Sequence, residues 1–478
     1  MKNKKIYGFV LLALIIMLLP IGMVSAKYKQ TKDVGTVTLD IAPPILSPNW
    51  YIKKSSEVTI SELIVDSFKP EENSDIYIYS KLGLNWEDGI PVGYDSSNPD
   101  NFKNDVRLFE KDNHDGTYNV YILAIGKNPV IFPENSNSLF AGWKGTNVTE
   151  KITFNNIDTS TVNDMQWMFY YCGSLTSLDI SSFKTDKVTD MSSMFAGCSS
   201  LERLIFGEYF KTGKVTDMND MFNGCEDLTN LDVSGFDTSQ VTNMNQMFNS
   251  CKKLTTLDLS NFNTSKVINM SYMFNTCEGL TSLDISRFDT SSVTYMNYMF
   301  GSCKSLPNLN LSSFNTTNVT DMNNMFYDCG ALTSLNLSNF TTPNLEDMSQ
   351  MFMLCSNLQS LNLSNFKTLD NTNMSNLFTD CSQLKQVTLG AEFKFINYSA
   401  DTTVLLPGQK NVDIPGANEK WYISNSSQGY NSTEVAVYHN EHNTITTYYA
   451  VQSEAPASVN TFSLLTENGI ISGDIQGN

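Results

Sequence analysis

Histidine is almost missing from this chain of 478 residues: there are only three, His114, His439 and His442. None stands beside the cysteines of the middle of the sequence, so a Cys–His nucleophile pair is excluded there. His439-Asn440-Glu441-His442 lacks the H-E-x-x-H order that sets two histidines on one helix face toward zinc, and it reads as a surface loop. Phosphate-cradling glycine loops are missing, and no pair of carboxylates stands out as a glycosidase acid and nucleophile. The expectation is a non-enzyme with no catalytic residues, no metal site and no cofactor. An exported hydrolase is the enzyme class left open.

Positive charge is also scarce. Lys and Arg number 31 against 50 Asp and Glu, a formal charge of −19, and Lys2, Lys4 and Lys5 lie in a first stretch of 26 residues that has no acid. Such acidity repels nucleic acid and anionic membrane, which excludes both as partners and favours basic groups or cations. Long apolar runs are limited to one, Ile6–Leu19, broken by Pro20 and followed by small residues at Val24-Ser25-Ala26. Residues 1–26 therefore read as a cleaved signal peptide, with an uncleaved anchor as the alternative because the run nears spanning length. The mature chain is expected to be soluble, without membrane insertion, and secreted or at the cell surface.

What is present is a lattice. The nine cysteines are Cys172, Cys198, Cys225, Cys251, Cys277, Cys303, Cys329, Cys355 and Cys381, 26 residues apart except for 27 between Cys198 and Cys225. Eighteen of the 21 methionines fall in the same array. A fixed period of this length is the mark of a solenoid. One unit, from Leu254, is LTTLDLSNFNTSKVINMSYMFNTCEG. Leu257-Asp258-Leu259 alternates as a strand does, and Ser260-Asn261 turns the chain back to Phe262. Met270, Met273, Phe274 and Cys277, at i, i+3, i+4 and i+7, predict one face of a short helix. Eight of nine units place Asp or Asn before the first Met, the residue types that cap helix N-termini; Tyr295 is the exception. No single coil closes a core, so the units must stack. The extra residue in LIFGEYFKT is expected to bulge at a turn without changing the stack.

The fold class is thus a repeat solenoid, leucine-rich-repeat-like, with a parallel sheet on one face and short helices or turns on the other, flanked by small β-rich modules. Residues 27–137 read as an N-terminal β-rich module, with strands at Val37–Ile41 and Tyr118–Ile122 and a hairpin turn at Asp115-Gly116. The solenoid is 138–389, a degenerate cap plus nine units. In the cap Leu139-Phe140 takes the Met-Phe place and Trp143 the cysteine place. Residues 390–452, with Trp421 and TITTYYAV at Thr444–Val451, read as a β-rich closing module, and 453–478 as a loosely ordered tail.

Units such as LTSLDISRFDTSSVTYMNYMFGSC (Leu280–Cys303) resemble the BspA-type leucine-rich-repeat surface proteins of bacteria. The resemblance runs from Ser138 to Leu389, about half of the chain, and the segment around Lys420-Trp421 is similar to the module that often follows such repeats. It implies export, a β-solenoid and a role in adhesion, and it implies no catalytic residues. Leu406-Pro407-Gly408 is not a wall-sorting motif, so the resemblance does not extend to wall attachment.

Small buried reduced cysteines are the favoured reading over disulfides, because Cβ atoms in a stack run parallel while a bridge needs them to converge. Ligands in a row do not surround zinc, and methionines at helical spacing read as core rather than copper ligands. The column between the last two strand leucines runs Asp179, Ile205, Asp232, Asp258, Asp284, Asn310, Asn336, Asn362 and Thr388. Asp179, Asp232, Asp258, Asp284, Asn310, Asn336 and Asn362 are the candidate ligand-binding residues. Close carboxylates repel, so the stripe is expected to hold protons, cations such as calcium, or basic groups. The alternative is a ladder that only keeps the strand face polar. The expected partner is an extracellular protein or glycan, bound by an adhesin-like surface protein. A structural spacer presenting the N-terminal module is the second reading.

Overall fold

A computed structural model describes residues 26–30, 37–41, 59–67, 84, 90–93, 103–115, 117–124, 129–142, 150–408, 414–424, 426–455, 460–466 and 469–475. The expected signal sequence before Ala26, Gly116 of the hairpin and Trp143 of the cap lie outside these residues. The chain forms two compact units. The first runs to Val188 and includes Leu204–Phe210; the second takes Thr189–Arg203 and continues from Lys211.

In the first unit β-branched and aromatic residues alternate into a seven-stranded sheet. Its order is Arg203–Phe206, Ser177–Ile180, Lys151–Phe154, Thr59–Ser67, Thr117–Ala124, Lys103–Asp112 and Ile90–Gly93. Lys103–Asp112 and Thr117–Ala124 are antiparallel, as a short hairpin requires, and Asp115 accepts hydrogen bonds from the Thr117 amide and hydroxyl at the turn. Thr59–Ser67 lies parallel to both Thr117–Ala124 and Lys151–Phe154. The sheet therefore does not stop at 137 but runs on into the first coils. Leu63, Val65, Val106, Leu108, Val120 and Ile122 are buried in it. The cap coil closes on an aromatic cluster: Phe140 stacks on Phe169 at 5.7 Å, and Phe154 meets Phe183 edge-on at 5.1 Å. The inserted residue is absorbed at Gly207, where any Cβ would run into the Ser181 carbonyl. The chain loops out through exposed Tyr209, and the frame resumes at buried Phe210.

The second unit is built of repeated coils whose inward columns line up. Phe195, Phe222, Phe248, Phe274, Phe300, Phe326, Phe352 and Phe378 stack face to face, with Phe248–Phe274 typical at 5.8 Å and 6°. Each offset pair adds about 0.5–1.5 kcal/mol beyond the area it buries. The methionine pairs and cysteines beside them are fully buried. This Phe and Cys ladder, together with parallel pairing between successive coils, fits a repeat solenoid.

The short helix expected at Met270–Cys277 does not form. Tyr272 and Thr276 have φ of 58°, in the left-handed region that breaks a helix. Alternate amides leave the coil instead: Met270, Tyr272, Phe274 and Thr276 donate to the carbonyls of Tyr295, Asn297, Met299 and Gly301 of the next coil at 2.7–3.0 Å. The amides of Met273, Asn275 and Cys277 close four-residue turns on Met270, Tyr272 and Phe274. Every second hydrogen bond therefore joins coils. A helix would have spent them all within one.

The strand edge forms a regular parallel sheet at Ser334–Asn336, Ser360–Leu363 and Gln386–Leu389. The closing segment extends it: Thr446–Tyr449 pairs antiparallel with Gln386–Leu389, and Trp421–Ile423 pairs with Thr446–Tyr449. The segment is not purely β, because Ser432–His442 is a helix with an Asn431/Glu434 capping box. His439 lies on that helix and is buried, so the surface-loop reading is corrected. Within the stretch 453–478, Asn460–Thr466 and Gly469–Ile475 pair antiparallel. Among the described residues no helix is long and apolar enough to cross a membrane.

Candidate functional site: the polar strand edge

In seven of the nine coils the chain turns directly after the last inward strand residue, and the outward Asp or Asn before that residue caps the turn. Asp232 accepts from the Ser234 amide at 3.0 Å and its hydroxyl at 2.6 Å. Asp258 and Asp284 accept from Ser260 and Ser286, and Asn310, Asn336 and Asn362 from Ser312, Ser338 and Ser364, all at 2.9–3.1 Å. In the first unit Asp179 makes the same bond with Ser181 at 2.9 Å. Only an oxygen acceptor is needed, which explains why Asp and Asn exchange in this column.

The column is outward, with Asn362 half-buried and the other six exposed. Of the expected protons, cations or basic groups, its electrostatics do not favour protons. Hydrogen bonds from Ser234 hold Asp232 below the usual carboxylate range, those from Ser260 do so for Asp258, and those from Ser286 for Asp284. The repulsion from the next carboxylate is a smaller opposing effect, because the charges sit in water. These groups stay ionised. Carboxylates that burial pushes upward stand elsewhere, at half-buried Asp217, Asp220 and Asp321 on the Met–Phe edge.

Asp258 and Asp284 also line a shallow cavity of about 390 Å³, with Thr256, Ser282, Arg287 and Asn308 at its wall and Leu257 and Leu283 beneath. Leu283 is half-buried, whereas Leu335 and Leu361, where the parallel ladder is regular, are buried. The opening thus coincides with coils that have no regular strand ladder. It offers two carboxylates, one guanidinium and several hydroxyls and amides over an apolar floor. That set suits hydrogen bonding to a polar or basic surface.

Two structural ladders carry the frame behind this edge. The thiols of Cys225, Cys251, Cys277, Cys303, Cys329, Cys355 and Cys381 each donate to a phenylalanine carbonyl of the preceding coil at 3.0–3.3 Å. None of the nine cysteines is in a disulfide, all are buried, and burial pushes Cys225, Cys303 and Cys355 up to about 12. Such thiols are not nucleophiles. The threonine of each F-x-T, to which periodicity assigned no role, is buried and braces two coils. Thr264 donates to the Asp289 carbonyl and accepts from the Asp289 amide, both at 2.9 Å. Thr212, Thr238, Thr290 and Thr342 repeat this two-way bond with Asp237, Asn263, Asn315 and Lys367.

No curated protein matches the chain. Among solved structures, one titled "Crystal structure of TLR13-ssRNA13 complex" is similar at 17% identity, covering 55% of this chain and 46% of that one. Its TM-score of 0.20 is too low for that likeness to bear on fold or ligand. The chain spans less than half the length of that relative. A family model matches residues 134–230, 206–282 and 277–393, together more than half of the chain and the same stretch that holds the coils. The chain belongs to the family described as Mycoplasma protein of unknown function, DUF285.

Proposed function

We propose that this protein is an exported surface protein of the BspA-type leucine-rich-repeat kind, without enzymatic activity, that binds an extracellular protein or glycan through the polar strand edge. The observation that carries this reading is the column Asp232, Asp258 and Asp284, exposed, ionised and fixed in direction by serine caps beside an open cavity. Groups held in place lose little freedom on binding, so many weak hydrogen bonds sum to useful affinity. The acidity of the edge favours a basic partner surface, and the buried inert thiols favour a rigid display over chemistry.

Two variants test it. The Asp232→Asn/Asp258→Asn/Asp284→Asn protein keeps every cap and loses three charges; lysine at the same places reverses them. In a screen against extracellular-matrix proteins and glycans, the asparagine variant is expected to weaken capture about tenfold or more at low salt with its melting temperature unchanged. The lysine variant is expected to abolish capture. Equal capture by all three proteins would discard the edge as the binding surface.

The spacer reading keeps one supporting observation, the strand Thr59–Ser67 that pairs directly with the first-coil strand Lys151–Phe154. Such continuous pairing makes a stiff mount for the N-terminal strands.

A further inference from the structure

The Met–Phe edge of the first unit carries a cluster of rings that the strand-edge reading leaves unused. Trp167 is 40% and Tyr171 60% exposed, and with Tyr170 they form a connected group. Trp167 and Tyr170 have ring centroids 6.2 Å apart, and Tyr170 and Tyr171 meet edge-to-face at 4.4 Å and 74°. Trp167 and Tyr171 also have φ of 57° and 59°. Bulky side chains are poor choices for the left-handed region. In the second unit the position equivalent to Trp167 is held by Ser193, Asp220, Gln246, Asn324, Gln350 and Asn376, and that of Tyr171 by small or polar residues, Gly197 and Gly224 among them, with Leu354 the one large exception. Tyr272 and Tyr298, the aromatic exceptions, stack on one another at 4.6 Å and 9° and so gain packing in return. Trp167 and Tyr171 accept the same backbone cost with 40% and 60% of their surface left exposed, whereas Tyr272 and Tyr298 are half-buried. Conformational cost without matching burial is a mark of a binding position.

We infer that Trp167, Tyr170 and Tyr171 form a stacking platform for a sugar ring of a neutral glycan. A pyranose chair has an apolar C–H face and a hydroxyl rim, so it needs a flat aromatic wall with polar groups at the border. The perpendicular Tyr170 and Tyr171 rings make a corner of that kind. Gln166, next to Trp167, accepts a hydrogen bond from the Asn137 amide at 2.8 Å, which places two amides at the border. Stacked nucleobases and anionic lipid would also meet aromatic rings, but a chain with net charge −19 repels both. The platform residues belong to the first unit, and Asp232, Asp258 and Asp284 to the second.

The test uses the full mature chain in affinity electrophoresis through gels containing mannan, laminarin or soluble chitin oligomers. At least one is expected to retard the protein. Trp167→Asn/Tyr171→Gly, which installs residues suited to left-handed backbone, is expected to lose at least tenfold in affinity with an equal or higher melting temperature. The Asp232→Asn/Asp258→Asn/Asp284→Asn protein is expected to be retarded like the parent. Three results overturn the platform: no retardation of the parent in any gel, undiminished retardation of the aromatic variant, or a melting temperature several degrees lower in that variant. Glycan retention lost only in the asparagine variant overturns it too, and assigns the glycan to the strand edge.

Discussion

At the scale of single residues, most of what holds the coils is small and polar. The leucine, phenylalanine, methionine and cysteine columns were legible in the sequence, because periodicity marks what points inward. The threonine of F-x-T was visible as part of the frame but silent as to role. A buried hydroxyl bonding both ways to one backbone residue leaves the same trace in sequence as an ordinary turn threonine. The acidic column was legible in position, but the serine bonds that disfavour protons on it were not. Its serine donors sit two residues on, within the turn signal itself, and they outweigh the repulsion between coils. The buried brace yields a direct prediction. Thr264→Val keeps the shape and strands the Asp289 amide and carbonyl, and should cost about 1–3 kcal/mol in a urea unfolding titration. Thr264→Ser, which keeps the hydroxyl, should cost less than half of that. Equal stability of the valine variant would show that the brace contributes nothing.

At the scale of elements, the chief lesson is the segment from Asn269 to Cys277. Spacing of i, i+3, i+4, i+7 with an Asn in front predicts a capped helix. The same inward set is served by consecutive tight turns, and Asn269 does accept from the amide two residues on. What decides the outcome is the neighbouring coil, whose carbonyls take alternate amides. That choice is tertiary and leaves no local mark. The α-helix Ser432–His442 of the closing segment was hidden for the opposite reason, since it has a weak apolar face and a histidine in its core contact. His439 Nε2 faces the Gly390 carbonyl at 3.0 Å, which only accepts, so Nε2 carries the proton and Nδ1 accepts from Tyr448 Oη at 3.1 Å. Burial holds His439 below its ordinary range, and the Lys394 cation acts the same way. Above pH 6.5 both folded and unfolded chains leave it neutral, and its contribution is complete. Below pH 6.5 the unfolded chain gains a proton that the folded one refuses, so stability falls, by at most about 1.4 kcal/mol per pH unit, until the folded value is reached. Unfolding titrations at pH 7.5 and 5.5 should show this loss in the parent and a smaller one in His439→Gln. Equal losses in the two proteins would remove His439 as the cause.

At the scale of the whole molecule, the repeat class was readable because a lattice of nine cysteines and eighteen methionines cannot be mistaken for local preference. The boundaries were less readable. Strand pairing does not respect a change in sequence character, so the sheet crosses from Thr59–Ser67 into the first coil and from Gln386–Leu389 into the closing segment. Within each unit the account rests on coils stacked so that their sulfur and aromatic columns face inward. Thiol titration with a water-soluble disulfide reagent measures this most directly. The folded protein is predicted to leave all nine cysteines unreacted over hours, and the protein in guanidinium to release nine equivalents at once. Rapid reaction of several thiols in the folded protein, or fewer than nine after unfolding without reductant, would contradict the stacked core.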